Sequence, residues 1–128
     1  MANVGKTVMV TGAAGYIGSH TCVELLEAGY EVVAVDNLCN SSRKSLERVQ
    51  QITGKKLVFH EADIRDADAM EKIFGQSAVD AIIHFAGLKA VGESVAKPLM
   101  YYDNNVAGPV ALLQVAKKAG VRHFVFSS

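Results

Sequence analysis

An α/β fold built on one doubly wound parallel sheet is the architecture that this chain of 128 residues favours. Short apolar runs alternate five times with segments whose apolar residues recur at helical spacing. A glycine-rich turn follows the first apolar run, and the fourth run, residues 81–85, is almost unbroken in apolar character. Such a strand is typical of burial on both faces, and strands that alternate with helices form parallel sheets through right-handed crossovers.

The first strand is expected at Val8–Val10, and the first helix at residues 17–28. Gly29 then stands where a C-terminal cap glycine belongs. Apolar residues recur at helical spacing at Ile17, Thr21, Leu25 and Ala28, with Val23 and Leu26 beside them.

The remaining elements follow in the same alternation. Strands are expected at residues 32–35, 57–59, 81–85 and 124–126. Ser42 is the expected N-cap of the second helix, which closes at Gly54, and Asp66 is the expected cap of the third. A long fourth helix is expected from Pro98 to Ala119. The predicted inner face of the second helix carries Leu46, Val49 and Ile52.

The turn after the first strand has the chemistry of a phosphate site. Gly12 suits the tight turn, Gly15 lets the backbone approach a pyrophosphate, and Gly18 allows close helix packing. The backbone N–H groups and the positive end of the helix dipole then face the anion. The spacing Gly-x-x-Gly-x-x-Gly differs from the usual Gly-x-Gly-x-x-Gly pattern, so by itself it also fits a turn that only joins a strand to a helix.

Asp36 favours the binding interpretation over the connecting turn. It ends the second apolar run, eighteen residues after Gly18, where an acidic side chain reaches a ribose 2′-hydroxyl. A carboxylate also repels a 2′-phosphate, which favours NAD over NADP as the cofactor. Arg43 and Lys44 lie close enough in sequence to weaken that preference without reversing it. The chain is therefore predicted to be a Rossmann-type, dinucleotide-binding domain.

Polar loops follow the strands at residues 12–18, 36–41, 63–64 and 85–89. Because the carboxyl ends of parallel strands meet at one edge of the sheet, these loops are expected to converge there. Ligands of such sheets bind at that edge, where the strand order reverses.

Composition excludes several other classes of function. Thirteen basic residues balance thirteen acidic ones, which gives no electrostatic case for a nucleic acid or a membrane as partner. Two cysteines make no disulfide framework, and no Cys/His cluster has metal-ligand spacing. Cys22 is expected in the core. No signal peptide or membrane span is apparent, so a cytoplasmic location is predicted.

With these motifs in view, the chain resembles the amino-terminal portion of the UDP-glucose 4-epimerases, which are extended short-chain dehydrogenases/reductases. The segments that carry the resemblance are 11–21, which begins Thr-Gly and includes Gly15-Tyr16-Ile17-Gly18, then Asp36-Asn37-Leu38, and residues 84–94, which read HFAGLKAVGES. Lys97-Pro98-Leu99 and Tyr101-Tyr102 add to it. The third segment favours the epimerases over related dehydratases and reductases of nucleotide sugars, which remain an alternative.

The resemblance implies that NAD is the cofactor. It implies that Tyr16 and Ile17 give backbone N–H groups to the pyrophosphate and that Asp36 binds the adenosine ribose. Along the same edge it places Asn37, Leu38, Cys39, Asn40 and Ser41, with Asp63 and Ile64 beside the adenine. It assigns the nicotinamide side to Phe85, Ala86, Gly87, Leu88 and Lys89, with Asn104 as a further contact. Lys89, Ala90 and Val91 would border the UDP-hexose substrate.

The implied chemistry is the interconversion of UDP-glucose and UDP-galactose through a 4-keto sugar. It needs a Ser/Thr and a Tyr-x-x-x-Lys pair, in which the lysine lowers the pKa of the tyrosine. None of the four tyrosines here is followed by lysine at that spacing. We therefore expect residues 1–128 to be a truncated Rossmann domain without the sixth strand and the sugar-nucleotide domain. The chain is expected to be inactive alone and homodimeric when complete. The remaining alternative is a stand-alone NAD-binding or regulatory module.

Overall fold

The computed structural model describes residues 6–38, 42–85, 108–121 and 123–126. The strands are β1 (Thr7–Thr11), β2 (Glu31–Asp36), β3 (Val58–Glu61), β4 (Ala81–His84) and β5 (His123–Phe126). The helices are α1 (Tyr16–Glu27), α2 (Arg43–Thr53), α3 (Ala67–Gln76) and α4 (Gly108–Lys118). All five predicted strands are present, each within two residues of its expected start.

One parallel sheet of five strands holds these elements together, in the order β3-β2-β1-β4-β5. The predicted doubly wound α/β architecture is confirmed. The chain adds β2 and β3 on one side of β1 and then crosses to add β4 and β5 on the other. The strand order therefore reverses between β1 and β4, which is where such sheets bind their ligands.

Alternate side chains of the strands pack into two separate cores, one on each face of the sheet. On one face, Val8 and Val10 of β1 pack with Cys22 of α1 and with α2. On the other face, Met9 packs with Met70 of α3 and with α4. Successive side chains of a strand point to opposite faces, so a sheet covered on both sides needs the continuous apolar strands seen here.

The buried face of α1 includes Leu26 of the predicted apolar pattern, but Ile17 and Ala28 of that pattern lie outside it. The buried positions are Gly18, Cys22 and Leu26, while Ile17 and Ala28 are exposed. A Cβ atom on Gly18 would lie 2.2 Å from the carbonyl oxygen of Gly12, so the helix approaches the preceding turn at this point. That close approach turns Gly18 inward and carries Cys22 and Leu26, four and eight residues later, to the same face. Cys22 is in the core as predicted.

The predicted helix caps are confirmed. The side chain of Ser42 accepts a hydrogen bond from Lys44 N, and that of Asp66 accepts one from Ala69 N. Gly29 and Gly54 follow α1 and α2 with φ values of 95° and 65°. These are left-handed conformations that glycine adopts without steric cost.

The predicted inner face of α2 is only partly correct. Leu46 and Val49 are buried, whereas Ile52 is 67% exposed. Each step of three residues falls short of a full turn, so Ile52 lies about 120° around the helix from Leu46. The described part of the last helix agrees with the prediction, and its expected start at Pro98 lies outside the described residues. Within the described ranges, the helices are too short or too polar to cross a membrane.

Candidate functional site

The glycine-rich turn after β1 is fixed by backbone hydrogen bonds. Gly12 has a φ of 68°, which places it in the left-handed region. Its N–H donates to the carbonyl oxygen of Val35 at 2.9 Å, and its own carbonyl oxygen accepts from Gly15 N at 3.1 Å. The turn is therefore tied to the end of β2, where Asp36 lies. The predicted tight turn at Gly12 is present.

The amino end of α1 presents an open set of backbone donors. Gly15 is the N-cap and has no side chain to accept the first N–H groups of the helix. The next two residues, Tyr16 and Ile17, are 81% and 52% exposed. Because the first N–H groups of a helix have no partner within it, this end attracts an anion. Tyr16 and Ile17, predicted to contact the pyrophosphate, lie at this open end of the helix.

The carboxylate of Asp36 lies against the glycine-rich turn. Its Oδ2 accepts a hydrogen bond from Ala14 N at 3.0 Å, and its Oδ1 accepts one from Leu38 N at 2.7 Å. The residue is only 7% exposed. Each carboxylate oxygen can accept more than one hydrogen bond, so the two contacts orient the group without using up its acceptors. The structure brings Asp36, the turn and Leu38 together.

Ser45 belongs to this cluster, and the sequence analysis missed it. Its hydroxyl donates to the carbonyl oxygen of Ala14 at 2.6 Å, which joins the first turn of α2 to the glycine-rich turn. The carbonyl oxygen of Ser42 lies 2.9 Å from the same hydroxyl and shares its single proton as a second acceptor. The two residues Ser45 and Ala14 are far apart in the chain, and a serine in a first helical turn is otherwise read as part of a cap. No local pattern signals such a contact.

Asp63 lies beside β2 at the next position along the edge. Its carboxylate accepts from Arg65 Nε at 2.9 Å, and Asn37 Nδ2 lies 3.5 Å from its other oxygen. The hydrogen bond from the Arg65 side chain is the main reason that the pKa of Asp63 is lowered. Ile64 is buried, at 6% exposure. Asp63, expected on the adenine side, therefore lies close to Asn37.

At the other side of the strand-order reversal, β1 and β4 are joined at their carboxyl ends. His84 is buried, and its Nδ1 lies 2.6 Å from Thr11 Oγ1. The backbone N–H of Phe85 donates to the carbonyl oxygen of Thr11 at 3.0 Å. Burial lowers the pKa of His84 to about 4, so the imidazole is neutral near pH 7. Phe85, predicted on the nicotinamide side, is held next to the glycine-rich turn.

Comparison with known proteins decides the family. Residues 8–128 match the model of the NAD dependent epimerase/dehydratase family. The chain belongs to this family.

Individual relatives of this epimerase/dehydratase chain agree. UDP-glucose 4-epimerase of Haemophilus influenzae is 65% identical over 121 residues, which cover 94% of this chain and 36% of that protein. UDP-glucose 4-epimerase of Klebsiella pneumoniae is 58% identical over 121 residues, covering 94% of this chain and 87% of that one. UDP-glucose 4-epimerase from Bifidobacterium longum, solved in complex with NAD+ and UDP, has a TM-score of 0.93 at 55% identity, covering 96% of this chain and 37% of that chain. The chain thus spans little more than a third of the first and third of these relatives.

Several predicted site residues of this family member lie outside the described residues: Cys39, Asn40, Ser41, Ala86, Gly87, Leu88, Lys89, Ala90, Val91 and Asn104. The described part of the site is thus the glycine-rich turn, the Asp36 side and Phe85. In that part of the chain, no group of His, Cys, Asp and Glu side chains has the arrangement of a metal site.

A cavity of about 690 Å³ lies at the opposite, amino-terminal edge of the sheet. Its lining includes Thr7, Glu31 and Asp80, and it contains none of the predicted site residues. Its size does not make it the cofactor site, because it lacks both the glycine-rich turn and the open helix end.

Proposed function

We propose that this chain is the NAD-binding part of a UDP-glucose 4-epimerase. The observation that carries the proposal is the position of Asp36, whose carboxylate is fixed against the glycine-rich turn where the strand order reverses. An acceptor at that place suits the ribose hydroxyls of an adenosine, and the open end of α1 suits the pyrophosphate attached to it. The named relatives supply the epimerase reaction and the UDP-hexose substrate.

The described residues fit the adenosine and pyrophosphate half of NAD. Asp36 would hold the ribose, the N–H groups of Tyr16 and Ile17 the pyrophosphate, and Asp63 and Ile64 the adenine side. When bound, NAD supplies the acceptor and donor of the hydride at C4 of the sugar. Phe85 would stand at the nicotinamide side. The glycine-rich turn orients the cofactor, while the base that takes the hydroxyl proton is expected in a Tyr-x-x-x-Lys pair that these 128 residues do not contain.

The finer assignments belong to the same proposal. Lys89, Ala90 and Val91 would border the UDP-hexose, and Asn104 would contact NAD. The epimerase is proposed to act in the cytoplasm, as a homodimer, in the metabolism of galactose. Residues 1–128 alone are proposed to bind NAD without epimerising UDP-glucose.

The coding sequence beyond residue 128 distinguishes an epimerase from a stand-alone NAD-binding module. A reading frame that continues into a Tyr-x-x-x-Lys pair supports an epimerase, whereas a stop codon supports a stand-alone NAD-binding module. A dehydratase or reductase of nucleotide sugars remains the other alternative, and the matched family includes dehydratases. The high identity to proteins named as epimerases favours epimerisation, and assay of the longer protein with UDP-galactose distinguishes the products.

Substitution of Asp36 by Asn tests the binding site. The amide keeps the shape but replaces one acceptor and removes the charge, so we expect NAD to bind about tenfold more weakly, since hydrogen bonds to charged groups contribute about 1.5–3 kcal/mol. Asp80→Asn is the matched control. Asp80 also accepts a backbone hydrogen bond, from Thr7 N at 2.8 Å, but lies at the amino-terminal edge. Calorimetric titration should show a loss of affinity for NAD in Asp36→Asn but not in Asp80→Asn. Equal affinities of the two variants for NAD would contradict the proposed site.

A further inference from the structure

Arg43 presents a problem for a site that selects NAD. A guanidinium beside the adenosine ribose binds a 2′-phosphate bidentately, which favours NADP. Arg43 is the first residue of α2, only two positions before Ser45. Both Ser45 and Asp36 contact the same residue, Ala14, through its carbonyl oxygen and its N–H respectively. Arg43 therefore begins the helix that borders the Asp36 carboxylate.

The structure shows where the Arg43 side chain goes. Its Nη2 lies 3.5 Å from Oε1 of Glu61, and its guanidinium carbon lies 5.3 Å from the ring centroid of Phe59. Both contacts are with β3. The guanidinium is therefore held over β3 by a carboxylate and an aromatic face.

Glu61 lies where its carboxylate can compete with a 2′-phosphate for the guanidinium of Arg43. It is the register partner of Asp36 in the neighbouring parallel strand, and Ala62 N donates to the carbonyl oxygen of Asp36 at 3.1 Å. Two carboxylates thus stand side by side at the carboxyl edge of the sheet. Asp36 is buried and bonded to the backbone, whereas Glu61 is exposed and paired with Arg43.

We propose that Glu61 is a selectivity residue, which favours NAD over NADP by pairing with Arg43 and withholding its guanidinium from a 2′-phosphate. The inference rests on the proposed NAD site. Asp36 repels a 2′-phosphate directly, and Glu61 removes the one cation of the first turn of α2 that the structure shows bound to β3. Both side chains of the pair are more than half exposed, so the effect is a bias rather than a block.

The test compares the affinities for NADP and NAD, measured by calorimetric titration of the 128-residue chain. Glu61→Gln releases Arg43, and we expect the affinity for NADP relative to NAD to rise about fivefold, the size expected for an exposed ion pair. Glu71→Gln is the control, because it removes the same charge from an exposed position on α3 and should leave the ratio unchanged. In Glu61→Gln/Arg43→Ala the gain should disappear.

The possible results are distinguishable. A fivefold rise of the affinity for NADP relative to NAD in Glu61→Gln, lost in the double variant, supports the role of the ion pair between Glu61 and Arg43. A change that persists without Arg43 would show an effect of bulk charge and would overturn the inference, as would an unchanged ratio in Glu61→Gln. If the unsubstituted chain binds neither dinucleotide, the proposed function fails as well.

Discussion

Gly18 is required for its lack of a side chain rather than for an unusual backbone conformation. Its missing Cβ leaves room for the carbonyl oxygen of Gly12, which would otherwise lie at 2.2 Å, and for Ala13 Cα at 3.0 Å. Both neighbours are backbone atoms, so neither can rotate away. The amino end of α1 can approach the glycine-rich turn only because this position has no Cβ.

Substitution at this position should therefore destabilise the fold. Gly18→Ala forces the helix away from the turn, and we expect a loss of about 1–3 kcal/mol in the free energy of unfolding, as for other overpacked sites. Gly75→Ala is the matched control in α3, where a Cβ meets nothing within 4 Å. It should stabilise by up to about 1 kcal/mol, because alanine is the better helix former. Urea denaturation measures the free energy of unfolding of both variants. Equal changes in the two would contradict the packing role of Gly18.

At the scale of single residues, the sequence pattern located the turn and Asp36 but not their contacts. The spacing of the glycines and the acidic end of the second apolar run were sufficient to place both at one edge. The hydrogen bonds of Asp36 to Ala14 and Leu38 depend on how two loops fold against each other, which no periodicity encodes. The apolar pattern of α1 matches its buried face only in part for a related reason, since a glycine, which has no apolar side chain, determines the rotation of the helix.

At the scale of elements, the contact between Thr11 and His84 joins β1 to β4 where the strand order reverses. His84 is a core histidine, since it is buried and its ring nitrogen contacts the hydroxyl of Thr11. The partner itself lies 73 residues earlier, so only the strand pairing reveals it. The caps of α2 and α3 were predictable because they are local; the exposure of Ile52 was not, because it depends on how far the buried face of α2 extends.

The buried imidazole should make stability depend on pH. The pKa of His84 is about 4 in the folded chain against 6.5 as its ordinary value. As the pH falls from about 7, His84 binds a proton in the unfolded chain but not in the folded chain. The contribution of His84 to the free energy of unfolding therefore decreases down to about pH 4 and then levels off. The difference corresponds to about 3 kcal/mol. In His84→Gln this part of the dependence of the unfolding free energy on pH should be absent.

Urea denaturation at several pH values between 4 and 8 measures the slope in both proteins. Comparison at pH 8, where His84 is neutral in both states, gives the packing cost of the substitution separately. A variant with the full slope of the original chain would show that other groups cause the pH dependence.

At the scale of the whole molecule, the order of the strands determines what the chain can bind. The alternation of apolar runs was sufficient to predict five parallel strands, and the order β3-β2-β1-β4-β5 brings the turn after β1, Asp36, Asp63 and Phe85 to one edge. The large cavity at the other edge was not predicted, because it arises from how loops and strand ends pack rather than from any motif. Similarity to a solved epimerase extends over 96% of the chain, so the sheet order is shared with that structure.

The measurement that tests the site most directly is a titration of the isotope-labelled chain with NAD, followed by the chemical shifts of its backbone amides. We predict that the amides of Ala14, Tyr16, Ile17 and Leu38 shift together and saturate, while those of Thr7 and Glu31 at the amino-terminal edge do not. Such a result would place the cofactor on the glycine-rich turn beside Asp36. Shifts confined to the cavity at the amino-terminal edge, or no shifts at millimolar NAD, would contradict the account.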